Sequence, residues 1–112
     1  MTIQTRVSQD RRNISRVMSR LDCHFTFEGK RHEAVIINLS MKGAFLSSPA
    51  MPPNGSNIIV EIRQPGVKKD LVFDGTVLRG TWVNSDHGKL GRFGIRVANA
   101  PIGLLALISK LN

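Results

Sequence analysis

Cysteine, aromatic residues and acidic residues are all scarce in this chain. The single cysteine, Cys23, rules out an intrachain disulfide and any multi-cysteine zinc site, and it suits a reducing compartment. Tyrosine is absent, tryptophan occurs once, and aromatics make up 5% of the residues, too few for the rows of stacking rings that oligonucleotide-binding platforms use. No apolar run approaches the 18 or so residues a membrane span needs, and no charged-then-apolar leader opens the chain. A soluble, cytoplasmic protein without membrane insertion is therefore expected. The 8 acidic residues face 16 Lys+Arg, a net charge of +8. Few carboxylates are thus left for paired acid/base chemistry, and Asp74 and Asp86 have none at an interpretable spacing.

What is present begins with arginine. Residues 1–20 carry Arg6, Arg11, Arg12, Arg16 and Arg20 against Asp10 alone, and contain no lysine. Guanidinium offers a planar fork that pairs bidentately with phosphate or with a guanine edge, so an anionic, planar partner is implied. A solvated basic tail is the plainer alternative. The segment is polar and has neither a helical stripe nor strict alternation, so it reads as a flexible basic arm over residues 1–20, followed by a barrel over 21–112, within one domain overall. At 112 residues a second independent core is not expected.

From Leu21 the period becomes two. Leu21, Cys23, Phe25 and Phe27 alternate with Asp22, His24, Thr26 and Glu28, a strand with one buried face. Glu28-Gly29-Lys30-Arg31 reads as a tight hairpin, with Gly29 suited to the positive φ of a II′ turn, and a return strand runs over His32 to Asn38. Ala44 to Ser47 is a short strand, and the proline-rich stretch from Pro49 to Gly55 is a loop. Ile58, Val60 and Ile62 mark a fourth strand that Gln64-Pro65-Gly66 closes. Leu71 to Val83 is a long strand with Gly75 and Gly80 as bends, Asn84 to Lys89 a turn, and Phe93 to Val97 a sixth strand. Six strands with these turn signals predict a small antiparallel β-barrel. Pro101 starts a terminal helix with Leu104, Leu105, Leu107, Ile108 and Leu111 as its apolar stripe. That helix either seals one barrel opening or docks a partner.

Catalysis finds little footing. His24, His32 and His87 are scattered; His24 falls on the polar face, near His32 across the hairpin, while Cys23 points the other way, so no closed metal site results. No base neighbours Ser40 in sequence, and no glycine-rich loop opens a helix. General nucleic-acid binding lacks its platform, because Phe25 and Phe27 fall on the core face and Trp82 stands alone.

Two motifs remain. Arg12 and Arg16 form R-x-x-x-R, but with ten arginines about 0.9 such matches are expected by composition alone, and Arg16/Arg20 and Arg92/Arg96 also fit. Asn38-x-Ser40-x-x-Gly43 is rarer, at about 0.08 chance matches for [D/N]-x-S-x-x-G, and carries the specificity. Asn38 at a strand end offers donor and acceptor, Ser40 a hydroxyl, and Gly43 a positive φ or room for close approach: a polar ledge beside an apolar barrel, or an ordinary turn.

Arg11-Arg12-x-x-x-Arg16 ahead of the first strand, Asn38-x-Ser40-x-x-Gly43 after the second, six strand signals and a terminal helix together resemble the PilZ domain, the bacterial receptor module for cyclic di-GMP, over residues 9–111. Met18 replaces the proline common after the second arginine, and Asn38 the commoner aspartate. The resemblance implies a six-stranded antiparallel PilZ-type barrel that is no enzyme and takes no cofactor, with cyclic di-GMP as its ligand. Arg12 and Arg16 would clasp guanine edges and phosphates, Asn38 and Ser40 would bond a guanine, and Gly43 would permit its approach. Arg11 would admit an intercalated ligand dimer. An extended chain puts residues four apart about 13 Å from each other, so both arginines converge on one ligand only if the arm curls. Residues 8–17 are thereby expected to order on binding and to signal to an unidentified downstream protein. The rival expectation is a PilZ-like adaptor with weak or no nucleotide binding.

Overall fold

The computed structural model describes residues 17–64, 66–86 and 88–111, with side chains described from residue 20 onward. Arg11, Arg12, Arg16 and His87 lie outside the described residues. Six strands and one helix follow in order: β1 Val17–Phe27, β2 Lys30–Leu39, β3 Gly43–Ser48, β4 Asn57–Ile62, β5 Leu71–Ser85, β6 Gly88–Ala98 and α1 Ile102–Leu111. Every pairing is antiparallel, and the strands close into a barrel in the order β1-β2-β3-β6-β5-β4.

The inward rows follow the alternation. Cys23 and Phe25 of β1, Ala34 and Ile36 of β2, Leu46 of β3, Val60 and Ile62 of β4, and Phe93 and Ile95 of β6 are buried in one core. Phe25 and Phe93 meet edge to face, their centroids 5.8 Å apart, a geometry the aromatic quadrupole favours. Burial of Cys23, assisted by the nearby Asp22 charge, pushes its thiol pKa up to about 12, so this sulfur is neutral packing rather than a nucleophile.

Several expectations are revised. β1 begins at Val17 rather than Leu21, because the pairing with β2 slips between Met18 and Leu21 and interrupts the alternation there. The first hairpin turn is type I′, not II′: both central residues have positive φ, Glu28 at 50° and Gly29 at 79°. His32 pairs directly with Phe25, and its ring lies 5.1 Å from that phenyl, whereas His24 pairs with Glu33 and Glu61. Cross-strand partners share a face, so the two histidines sit on opposite faces rather than together. In α1, Leu104, Leu107 and Ile108 enter the core but Leu105 is exposed, the i, i+3, i+4 stripe being narrower than the run of leucines suggests.

The last two strands are longer than the sequence implied, their ladder continuing to the Ser85↔Gly88 pair. The loop after β3 packs against this extension. A Cβ at Gly91 would stand 2.6 Å from Met51 Cβ, and one at Gly80 would stand 2.7 Å from Met51 Sδ, so both glycines let Met51 approach the hairpin.

Candidate ligand-binding ledge

The loop that joins β2 to β3, residues 40–42, lies inside the Asn38-x-Ser40-x-x-Gly43 motif, whose first and last residues belong to the two strands. Ser40 is fully buried, and its backbone N–H donates to the Gly43 carbonyl at 2.8 Å. Its Oγ donates to that same carbonyl at 3.2 Å and accepts from the N–H groups of Lys42 at 3.3 Å and Gly43 at 3.2 Å. One donor and two lone pairs are the whole capacity of a hydroxyl, and all three are engaged.

The seam with β6 explains why a hydroxyl is needed here. Val97 N–H donates to the Lys42 carbonyl at 2.8 Å, and Gly43 pairs with Arg96. That bond makes Gly43 and Arg96 a non-hydrogen-bonded pair, the closer kind with Cα atoms about 4.5 Å apart, in which the Gly43 N–H has no partner on β6. Ser40 Oγ supplies it. The loop is thereby closed upon itself and tied to β6, a preformed feature.

Asn38 is half-buried, near the end of β2, and its cross-strand partners are Met18 and Phe45. The pairing slips between Ile36 and Asn38, a bulge that reorients the strand end where the motif starts. The structure thus brings together Asn38, Ser40 and Gly43 of the expected site. Arg20, member of the rival Arg16/Arg20 pair, lies exposed in β1. Beside the ledge stand residues that motif reasoning left aside: Arg96, directly across from Gly43, and Arg92 four residues earlier, both exposed. Their R-x-x-x-R spacing was visible, but only the register places that pair next to the ledge.

Among the described residues no group of three His, Cys, Asp or Glu side chains could hold a metal ion. No helix among them is long and apolar enough to cross a membrane.

The family model described as PilZ domain matches residues 10–111. The chain belongs to the PilZ domain family. Solved structures agree on the fold. The chain is similar to the solved PilZ domain with c-di-GMP of YcgR from Escherichia coli, with a TM-score of 0.69, 16% identity, and coverage of 91% of this chain and 92% of that one. It is also similar to the Bacillus subtilis inhibitor of motility MotI/DgrA, with a TM-score of 0.67 and 18% identity, covering 92% of this chain and 50% of that one. No curated protein matches. The PilZ architecture expected from the motifs, the six strand signals and the terminal apolar stripe, a six-stranded antiparallel barrel with a C-terminal helix, is the one observed.

Proposed function

We propose that this PilZ domain is a cytoplasmic, non-catalytic receptor for cyclic di-GMP that relays the nucleotide's level to a downstream protein. The preformed Ser40–Gly43 loop carries the reading: it follows directly on Asn38 at the end of β2 and fixes the Gly43 backbone opposite Arg96 across the β3–β6 seam. Family membership supports the ligand, as does the fold shared with the YcgR PilZ domain solved with c-di-GMP.

In this reading Asn38 bonds a guanine edge, Gly43 leaves room for the base, and Ser40 acts by holding the loop, its hydroxyl being already engaged. Arg12 and Arg16 close over the ligand from the N-terminal side. Guanine O6 and N7 are adjacent acceptors that suit a bidentate guanidinium, and the cyclic phosphates supply the negative charge. Arg11 stacks on or bonds a second, intercalated nucleotide, giving two ligands per chain. Fixing part of residues 8–17 costs on the order of 1–2 kcal/mol per residue ordered, a cost that the charge-assisted bonds must exceed for the arm to close. The closed arm is the signal that the partner reads.

Titration calorimetry with cyclic di-GMP tests this. Arg12→Ala and Arg16→Ala should each weaken binding by about ten-fold or more, one lost charge-assisted bond being worth roughly 1.5–3 kcal/mol. Unchanged affinity in both variants refutes the arm assignment. Absence of heat in the unaltered protein favours an adaptor that works by protein contact alone. A saturating ratio of one ligand per chain, or Arg11→Ala leaving a ratio of two, removes the role given to Arg11.

A further inference from the structure

Gly94 of β6 has no side chain, and the fold does not account for the omission. Gly29, Gly55, Gly66 and Gly88 have positive φ, which favours glycine. Gly80, Gly91 and Gly103 face atoms within 3.0 Å of where a Cβ would stand, and at Gly75 the nearest is at 3.2 Å. At Gly94 the nearest would be Leu78 Cδ1 at 3.7 Å, then the Ala44 carbonyl and Leu78 Cβ at 3.8 Å, all ordinary contacts, and its φ lies outside the left-handed range.

The surroundings of that space have a definite chemistry. Phe93 and Ile95 point into the core, so Gly94 faces outward, and the period of two puts Arg92 and Arg96 on the same face. Both arginines are exposed, and their Cα atoms are about 13 Å apart, one on either side of the glycine. Phe45 is the cross-strand partner of Gly94 on β3, half-buried, in the same close, non-hydrogen-bonded kind of pair as Gly43 and Arg96. On the other flank the β5–β6 pairing slips between Val77 and Gly80, and Leu78, 37% exposed, lies against Gly94 there. The result is a bare strip of backbone with apolar walls, bracketed by two guanidinium groups. The row continues through Phe45 to Asn38, so the strip adjoins the ledge.

We propose that Gly94 is the floor of a purine-nucleotide subsite, in which a guanine of cyclic di-GMP lies flat over the bare backbone between Phe45 and Leu78 while Arg92 and Arg96 hold its phosphates. This deepens the receptor reading and rests on it. A flat ring needs the area a β-carbon would occupy. An arginine at each end supplies charge-assisted bonds at a spacing one phosphate-bearing nucleotide can fill. The pair does from the barrel what Arg12 and Arg16 do from the arm.

The decisive experiment is calorimetric titration of the full chain with cyclic di-GMP at two salt concentrations, with Gly94→Val, Arg92→Ala, Arg96→Ala and the remote Arg63→Ala. In Gly94→Val the Cβ fits but the two methyls stand where the ring would lie. Affinity should fall about ten-fold or more, with the melting temperature within a few degrees of the parent. Arg92→Ala and Arg96→Ala should each weaken binding by about ten-fold and flatten its salt dependence, while Arg63→Ala should not. If the parent binds and Gly94→Val and both arginine variants bind equally well, the subsite is wrong and the receptor reading stands. If the parent does not bind, the receptor reading fails and takes the subsite with it. Should Gly94→Val fail to fold, the two exposed arginines decide the matter, since neither supports the core.

Discussion

Replacing Ser40 by alanine separates a residue that shapes the ledge from one that touches the ligand. The substitution removes the hydroxyl that donates to Gly43 O and accepts from Lys42 N and Gly43 N. Gly43 O keeps the 2.8 Å bond from the Ser40 backbone, and Lys42 is exposed, so water can reach its N–H. The Gly43 N–H is buried and has no partner on β6, so it is left orphaned. An unsatisfied buried donor costs about 1–3 kcal/mol, so Ser40→Ala should destabilise the domain by about 2 kcal/mol. At an unfolding entropy near 2.1 cal/mol/K per residue, that corresponds to roughly 8–10 °C in Tm. Calorimetric melting without ligand gives the stability, and amide hydrogen exchange at Gly43 should show its protection collapsing. Loss of cyclic di-GMP binding with Tm held within about 2 °C and Gly43 still protected would refute this reasoning and make the hydroxyl a direct ligand contact.

Glu28 holds a positive φ of 50° in the first hairpin turn, so Glu28→Asn, which creates the Asn-Gly pair that type I′ turns favour, should stabilise by about 0.5–1 kcal/mol in urea titrations. Gly91→Ala forces a Cβ to within 2.6 Å of Met51 Cβ and should cost about 1–3 kcal/mol by overpacking, read as a lower urea midpoint. Cys23, with its thiol raised to about 12 in the folded state from 9.0, binds its proton more tightly when folded. Above pH 9 the unfolded chain has lost this proton while the folded chain keeps it, so stability should fall by on the order of 1 kcal/mol per pH unit until about pH 12. Cys23→Ala should flatten that limb of a stability-versus-pH profile, and a limb that stays steep would point to other groups.

The barrel was legible because period two survives wherever a strand has one wet face. Cys23 and Phe25, and Ile58 through Ile62, needed no further information. The misreadings occurred where pairing slips or where a residue overrides its propensity. The bulge between Met18 and Leu21 hid the start of β1, and Glu28 adopts a conformation usually reserved for glycine or asparagine. Leu105 is a leucine in a helix that the core does not reach. For the site, Asn38, Ser40 and Gly43 stand close together in sequence, so their spacing was readable. Their division of labour was not, because it depends on which hydrogen-bonding phase the β3–β6 seam adopts. Arg96 lies more than fifty residues after Gly43, and only register makes them neighbours.

That seam also ties recognition to folding. The pairs β1–β2, β2–β3, β4–β5 and β5–β6 join strands adjacent in sequence, and each can zip from its own turn or loop, whereas β1–β4 and β3–β6 close the ring across long stretches of chain. Such non-local closures are the slow events of β-rich folding. The ledge lies on one of them, with Gly43 against Arg96 and the Lys42 carbonyl held by Val97. A chain of well-formed hairpins still lacks the assembled ledge. On the receptor reading, affinity for cyclic di-GMP should therefore appear only once β3 and β6 have paired, and a titration during refolding would clock that closure.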